Sequence, residues 1–166
     1  MASGDTLAFF NALDNMPPAS GYATFDTRNG FAVLDFDDAS DESAIFCGFM
    51  PRNYSGGGLT ITIGWMATSA TTGTVSIDVQ LMSVSDDADD LDTKAFAAAN
   101  NINPTTASAS GEVDYATVTF TDGADMDSIA AGEMFLLKIT RDGNGTTSTD
   151  DLSGDMELVF IEIKET

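Results

Sequence analysis

The chain has 166 residues, with 27 acidic and 6 basic side chains, no histidine, one cysteine and a net charge of −21. Without histidine, and with Cys47 alone, it can build neither a Cys/His zinc site, nor a histidine-based catalytic triad, nor an internal disulfide. Its six cations (Arg28, Arg52, Lys94, Lys138, Arg141 and Lys164) are scattered, which excludes the clustered charge of a nucleic-acid surface, and the acidity disfavours anionic membranes.

At 43% hydrophobic residues, with 11 Phe and 8 Met, the chain can fill the core of one domain. The opening MASGDTLAFF lacks the basic and long apolar regions of a secretory signal. No apolar run approaches the ~20 residues that span a bilayer. A soluble protein made in the cytoplasm is expected.

Residues 1–21 read as an N-terminal arm and residues 22–166 as a single domain. The arm is uncharged in its middle and apolar, and residues 6–11 are able to add a terminal strand. Phe9, Phe10, Met16 and Pro17 are candidate contacts to a neighbouring subunit, the alternative being an arm that closes one end of its own barrel. Pro17-Pro18 favours an extended path. Strands follow at 22–28 and 31–36, joined by Asn29-Gly30, a two-residue hairpin signal because both residues tolerate positive φ. The next strand, 43–50, carries Ile45, Cys47 and Phe49 on one side and Phe46 and Met50 on the other. Cys47 is read as a buried, inert thiol.

Gly56-Gly57-Gly58 reads as an entry turn, since it precedes a strand rather than a helix. Leu59, Ile61, Ile63 and Trp65 alternate with polar or small residues, as do Val75, Ile77, Val79 and Leu81. The small-residue run 67–73 suggests that these two strands form a hairpin. Residues 83–111 are acidic, then Ala-rich, and suggest a short helix or an excursion over a sheet. A strand at 114–121, one helical turn at 125–131 and strands at 134–140 and 157–164 complete the pattern. The last strand is also apolar on both sides, with Leu158 and Phe160 opposite Val159, Ile161 and Ile163. Eight or nine strands and no long amphipathic helix predict an all-β, antiparallel two-sheet sandwich of jelly-roll type. Strands apolar on both faces, 31–36 among them (Phe31 and Val33 opposite Leu34 and Phe36), need a second cover, either from the chain's own loops and N-terminal arm or from another subunit. The second option nominates Phe46, Met50, Leu158 and Phe160, with the arm residues, as an interface.

Site chemistry is sparse. The strand acids Asp78, Glu157 and Glu162 occupy polar-face positions and read as solvated rather than as a glycosidase pair. Asp142-Gly143-Asn144-Gly145 opens like a calcium loop, but Ser153 stands where an EF-hand needs its bidentate Glu. An irregular calcium site at Asp142, Asn144, Asp150 and Asp151, or within residues 86–92, is the remaining metal option. No other cofactor is expected, and no catalytic residue is assigned. Among the aromatics, Trp65 reads as core, and Tyr54 beside Arg52 is the better candidate for an exposed sugar-stacking ring than Tyr22 or Tyr115.

The stretches ATFDTRNGFAVLDFDD, ESAIFCGFMPRNYSGGGLTITIGWMATSATTGTVSIDVQ, DGADMDSIAAGEMFLLKITRDG and LVFIEIKET resemble small β-sandwich virion proteins of tailed bacteriophages. The resemblance runs from about Tyr22 to the C-terminus. It implies a non-enzymatic structural role, such as a trimeric capsid decoration (cement) protein on the outer surface of the particle. The protein would be made in the host cytoplasm and bound to the major capsid protein or another virion protein. The alternative is a tail- or fibre-associated carbohydrate-binding module for host attachment. A hydrolase would require a deep pocket with a strongly perturbed acid.

Overall fold

The computed structural model describes residues 4–166. Ten strands occur among them: β1 (Thr6–Asn11), β2 (Thr24–Arg28), β3 (Phe31–Phe36), β4 (Glu42–Phe49), β5 (Leu59–Ala67), β6 (Ile77–Val84), β7 (Asn100–Ile102), β8 (Asp114–Phe120), β9 (Met134–Arg141) and β10 (Met156–Glu165). They form two antiparallel sheets facing one another, which is the expected sandwich. One sheet has the order β2-β3-β10-β5-β8, with β1 also on β10, and the other has the order β4-β9-β6-β7. No helix among the described residues is long and apolar enough to cross a membrane.

Period-2 alternation decides the core. Leu34, Phe36, Ile61, Ile63, Trp65, Ile161 and Ile163 from the larger sheet meet Phe46, Val79, Leu81, Phe135, Leu137 and Ile139 from the smaller one. The β2–β3 hairpin turns on Asn29 and Gly30, at φ 50° and 77°. This is the mirror-image turn that matches strand twist. The expected β5–β6 hairpin does not form: β5 lies in the larger sheet and β6 in the smaller one. Residues 68–76 cross between the layers, because alternation encodes a strand's buried face but not its partner.

Residues 1–3 of the expected arm lie outside the described residues, and residues 4–21 pack on their own domain rather than projecting. β1 shares one edge of β10 with β3: β3 pairs with residues 156–158 and β1 with residues 160–164. Residues 15–23 then run along the outer edge of β4. The Met16 amide donates to the Ile45 carbonyl at 2.7 Å, and the Ser43 amide donates to the Gly21 carbonyl at 2.7 Å. This cover removes a free edge that would otherwise pair with another chain. Phe10 is buried, and its ring meets those of Phe46 and Phe135. Phe10→Ala should therefore cost about 3 kcal/mol, against under about 1 kcal/mol for Phe9→Ala at an exposed position. Urea unfolding of the two variants checks this. Equal losses would contradict the placement.

Two of the two-faced strands, β4 and β10, are now explained. In β4 it is Ala44 and Phe46 that face the core, while Ile45, Cys47 and Phe49 lie on the outer side; Cys47 is exposed, not buried. Met50, just past the strand end, is fully buried. In β10 the pairing with β5 slips between Leu158 and Phe160. This bulge makes Val159 an extra residue. Leu158, Ile161 and Ile163 consequently all join the main core, while Val159 and Phe160 belong to the outer cluster. Phe46, Met50 and Leu158 are core residues and unavailable to a neighbouring subunit. The segment between β6 and β7 is the expected excursion. It lies on the outer side of the smaller sheet, where the Gln80 amide donates to the Ala97 carbonyl and Lys138 sits 5.0 Å from the Phe96 ring.

Candidate functional site

The outer face of the larger sheet carries the main apolar surface. Phe160 (β10), Gly64 (β5) and Tyr115 (β8) lie in one cross-strand row. Gly64 leaves room for the Phe160 ring: a Cβ there would stand 2.2 Å from Phe160 Cε1. Tyr115 meets that ring edge-on at 5.1 Å between centroids, and Phe9 stacks on it at 5.7 Å. Both end rings are open to solvent, Phe9 at 58% and Tyr115 at 65% of full exposure. The next row, Glu162–Thr62–Thr117, runs beside the rings and supplies hydroxyls and a carboxylate. On the other side, Phe31 and Val113 are exposed around the small buried group Val33, Met66 and Val159. Phe9, Phe31 and Phe160 line a groove of about 430 Å³. An aromatic row with a polar row beside it can stack on the C–H face of a sugar and hydrogen-bond its hydroxyls.

The aromatic residues singled out from the sequence are distributed differently. Trp65 is fully buried, as expected. Tyr54 is buried too, contrary to expectation: its hydroxyl donates to the Gly57 carbonyl, and burial pushes its pKa up to about 12. Tyr22 and Tyr115 are exposed, and only Tyr115 joins the strip. Phe9 and Phe160, nominated as contacts, belong to it, whereas Phe10 does not. Met16 and Pro17 are exposed on the segment beside β4, away from the strip. Gly64 was the overlooked signal, since a glycine inside a strand marks close approach.

Two acids lie on the same outer face. Asp35 (β3) is the cross-strand neighbour of Glu157 (β10). Burial, then the charges of Glu157, Asp26 and Asp155, push Asp35 up to about 6, with Arg28 opposing. Glu157 is buried and ion-paired with Arg28 at 2.5 Å. That pairing occupies Glu157, so the two acids form a structural pair rather than the free acid and base of a glycosidase.

The raised pKa has a definite sign. Between pH 4 and 6 the folded protein binds more protons at Asp35 than the unfolded chain does, so stability rises as pH falls through that window. Asp35 is half-buried, with one carboxyl oxygen buried and without a hydrogen-bond partner, and screening through its exposed part trims the effect to about 1 kcal/mol. The melting temperature of the wild type should accordingly rise by about 2–4 °C on acidification from neutrality to pH 5 through this group. Asp35→Asn should be the more stable protein at pH 7 and lose that increment. Identical pH profiles for the two proteins would contradict the assignment.

The acids of the Asp142–Asp151 loop considered for calcium are already occupied. Asp142 accepts the Thr146 and Thr147 amides, and these bonds hold its carboxyl below the usual range despite burial. Asp151 accepts the Thr74 amide and hydroxyl, Asn144 donates to Asp41, and Asp150 is paired with Arg141. Within residues 86–92, Asp89 is paired with Lys94. A different set, Asp37, Asp38 and Asp155, brings carboxylate oxygens within 4.8 Å of one another. Burial, Asp37 and Asp38 raise the pKa of Asp155. Three oxygen donors suit a hard divalent cation but fall short of the six to eight that calcium takes.

The fold is a jelly-roll sandwich of the type seen in carbohydrate-binding modules. No protein-family model and no curated protein matches the chain. Among solved structures it is similar to a family 35 carbohydrate-binding module from an environmental isolate. That likeness has TM-score 0.57 and 12% identity, over 96% of this chain and 94% of that one. It is also similar to a family 35 module from Clostridium thermocellum, with TM-score 0.53 and 10% identity, over 96% and 98% of the two chains. The isomalto-dextranase of Arthrobacter globiformis T6, solved with panose, contains a similar sandwich (TM-score 0.58, 17% identity, 90% of this chain), but the chain spans only 22% of that enzyme. At these identities the likeness is one of fold. The matches covering both chains nearly whole are to binding modules, and those to glycosidases cover a part of the enzyme.

Proposed function

We propose that the protein is a non-catalytic carbohydrate-binding module and that the Phe9–Phe160–Tyr115 strip is its ligand face. The observation that carries this reading is the strip itself, three adjoining rings on an open sheet face with a polar row alongside. The end-to-end likeness to binding modules supports it. The open, shallow face suits an extended polysaccharide better than a single small sugar. The comparisons lend no support to the capsid reading and favour the host-attachment alternative in its general form, glycan binding.

The test is native gel electrophoresis through soluble polysaccharides, with a sedimentation assay on insoluble ones. Retardation or co-sedimentation with one class of polymer is expected. Failure across neutral, acidic and amino polysaccharides would reject the reading. A second reading, assembly into a trimer through the same face, is favoured by the exposure of Phe9, Phe31 and Val113 together. Light scattering separates the two. A mass of three times 17.4 kDa would assign the face to subunit contacts, and a monomer would leave it free for ligand.

A further inference from the structure

A second concave site lies at the end of the smaller sheet. Phe49 (β4), Met134 (β9) and Val84 (β6) form one cross-strand row on its outer side. They floor a cleft of about 630 Å³, whose walls include Arg52, Asp86, Asp87 and Glu133. That volume lies within the range of small-ligand sites. Phe49 is 55% exposed. The walls are held in place before any ligand arrives. Glu133 accepts the Ser85 hydroxyl at 3.1 Å and the Ala130 amide at 3.0 Å. The acidic loop is tied by the Ser85 amide to Asp89, which Lys94 clamps at 2.9 Å while also reaching Asp127 at 3.1 Å. Gly132, at φ +81°, lets the Arg52 guanidinium lie against the turn, 3.3 Å from where a Cβ would stand.

The charges in this cleft stand out. The other five cations are engaged, Arg28, Lys94, Arg141 and Lys164 in ion pairs and Lys138 over Phe96. Among the described residues the Arg52 side chain alone of the cations makes no hydrogen bond, ion pair or ring contact, and the side chains of the exposed Asp86 and Asp87 make no hydrogen bond or ion pair either. The cleft thus presents an aromatic floor, one free guanidinium donor and an excess of carboxylate acceptors. Against that excess, in a protein of charge −21, an anionic ligand is repelled and a cationic one attracted.

We propose that the Phe49 cleft is a second binding site, for an amine-bearing sugar of the glucosamine type. The ring face stacks on Phe49. The ammonium group is held by Asp86 and Asp87, and a ring hydroxyl accepts from Arg52. The site is separate from the aromatic strip and does not depend on it.

Calorimetric titration of the full chain with tri-glucosamine, its fully N-acetylated counterpart and spermidine tests this, in mildly acidic buffer where the amines are charged. Tri-glucosamine should bind, and the N-acetylated trimer should bind at least about tenfold more weakly. Phe49→Ala and the pair Asp86→Asn with Asp87→Asn should each lower affinity about tenfold or more. Thermal midpoints confirm that the variants fold. Four results would overturn the proposal: no binding of tri-glucosamine, equal binding of the neutral trimer, equal binding of spermidine, or full affinity in Phe49→Ala. The last would reduce the effect to attraction by net charge. Because polysaccharide binding at the strip is read with the Phe160 variant, failure here leaves that reading standing, and the reverse holds too.

Discussion

Replacing Arg141 with Met should cost the fold about 3–5 kcal/mol. Arg141 is fully buried, and every N–H of its guanidinium is bonded. Nε and Nη2 form a fork onto Asp150, at 3.0 and 2.8 Å. Nη1 donates to the carbonyls of Phe36 and Gly154, and Nη2 also donates to that of Leu152. One side chain therefore fastens the β9–β10 connection to both sheets. Its loss strands the Asp150 carboxylate, whose side chain is 1% exposed, as a lone buried charge. Against a typical total of about 5–15 kcal/mol, that is a large fraction. Urea unfolding should show the midpoint falling steeply with the slope unchanged. Arg141→Lys keeps the charge but not the fork, and should recover only part of the loss. Arg141→Met combined with Asp150→Leu should recover more, since no unpaired charge remains. An unchanged midpoint in Arg141→Met would contradict this account of the loop.

The second large effect concerns binding. Phe160→Ala should weaken polysaccharide binding by about 2 kcal/mol, roughly 30-fold, as truncation of a central aromatic contact does. Stability should change much less, because the ring lies outside the main core. Gly64→Ala tests the same geometry without removing a ring. Its Cβ would stand 2.2 Å from Phe160 Cε1, so the ring must swing away from its row. Binding should fall by a similar factor. In the Phe160→Ala background the Gly64→Ala substitution should cost almost nothing further, because the two act through one contact. Additive losses would show that Gly64 acts otherwise.

Much of this architecture was written plainly in the chain. Alternation in Leu59–Trp65 and turn chemistry at Asn29-Gly30 each have one physical reading, and the structure follows both. Partner choice was not legible: β5 and β6 have the same pattern and sit in different sheets. The bulge at Val159 was visible only as a strand apolar on both sides, because one extra residue shifts the phase without any chemical mark. The same ambiguity reversed the faces of β4 and misplaced Cys47. No local pattern in the sequence marks Arg141 for burial, which depends on Asp150 and three carbonyls that only the folded loop brings together. The acids of the Asp142–Asp151 loop were taken up by amides, hydroxyls and the Arg141 guanidinium for the same reason. At the site, Phe9, Phe160 and Tyr115 were each noticed, but for different purposes. They lie far apart in sequence, and only the β1–β10–β5–β8 order makes them neighbours. Strand alternation led to the right class of fold, while the structural neighbours favour a functional reading in terms of glycans over the virion role that the resemblance implied.

The central claim is that the aromatic strip binds carbohydrate. The most direct measurement is the mobility of wild type, Gly64→Ala and Phe160→Ala in native gels containing the polysaccharide that retards the wild type. The account predicts that both variants migrate nearly as they do without polymer, while keeping wild-type thermal midpoints to within a few degrees. Undiminished retardation of both would contradict it and place the ligand face elsewhere on the sandwich.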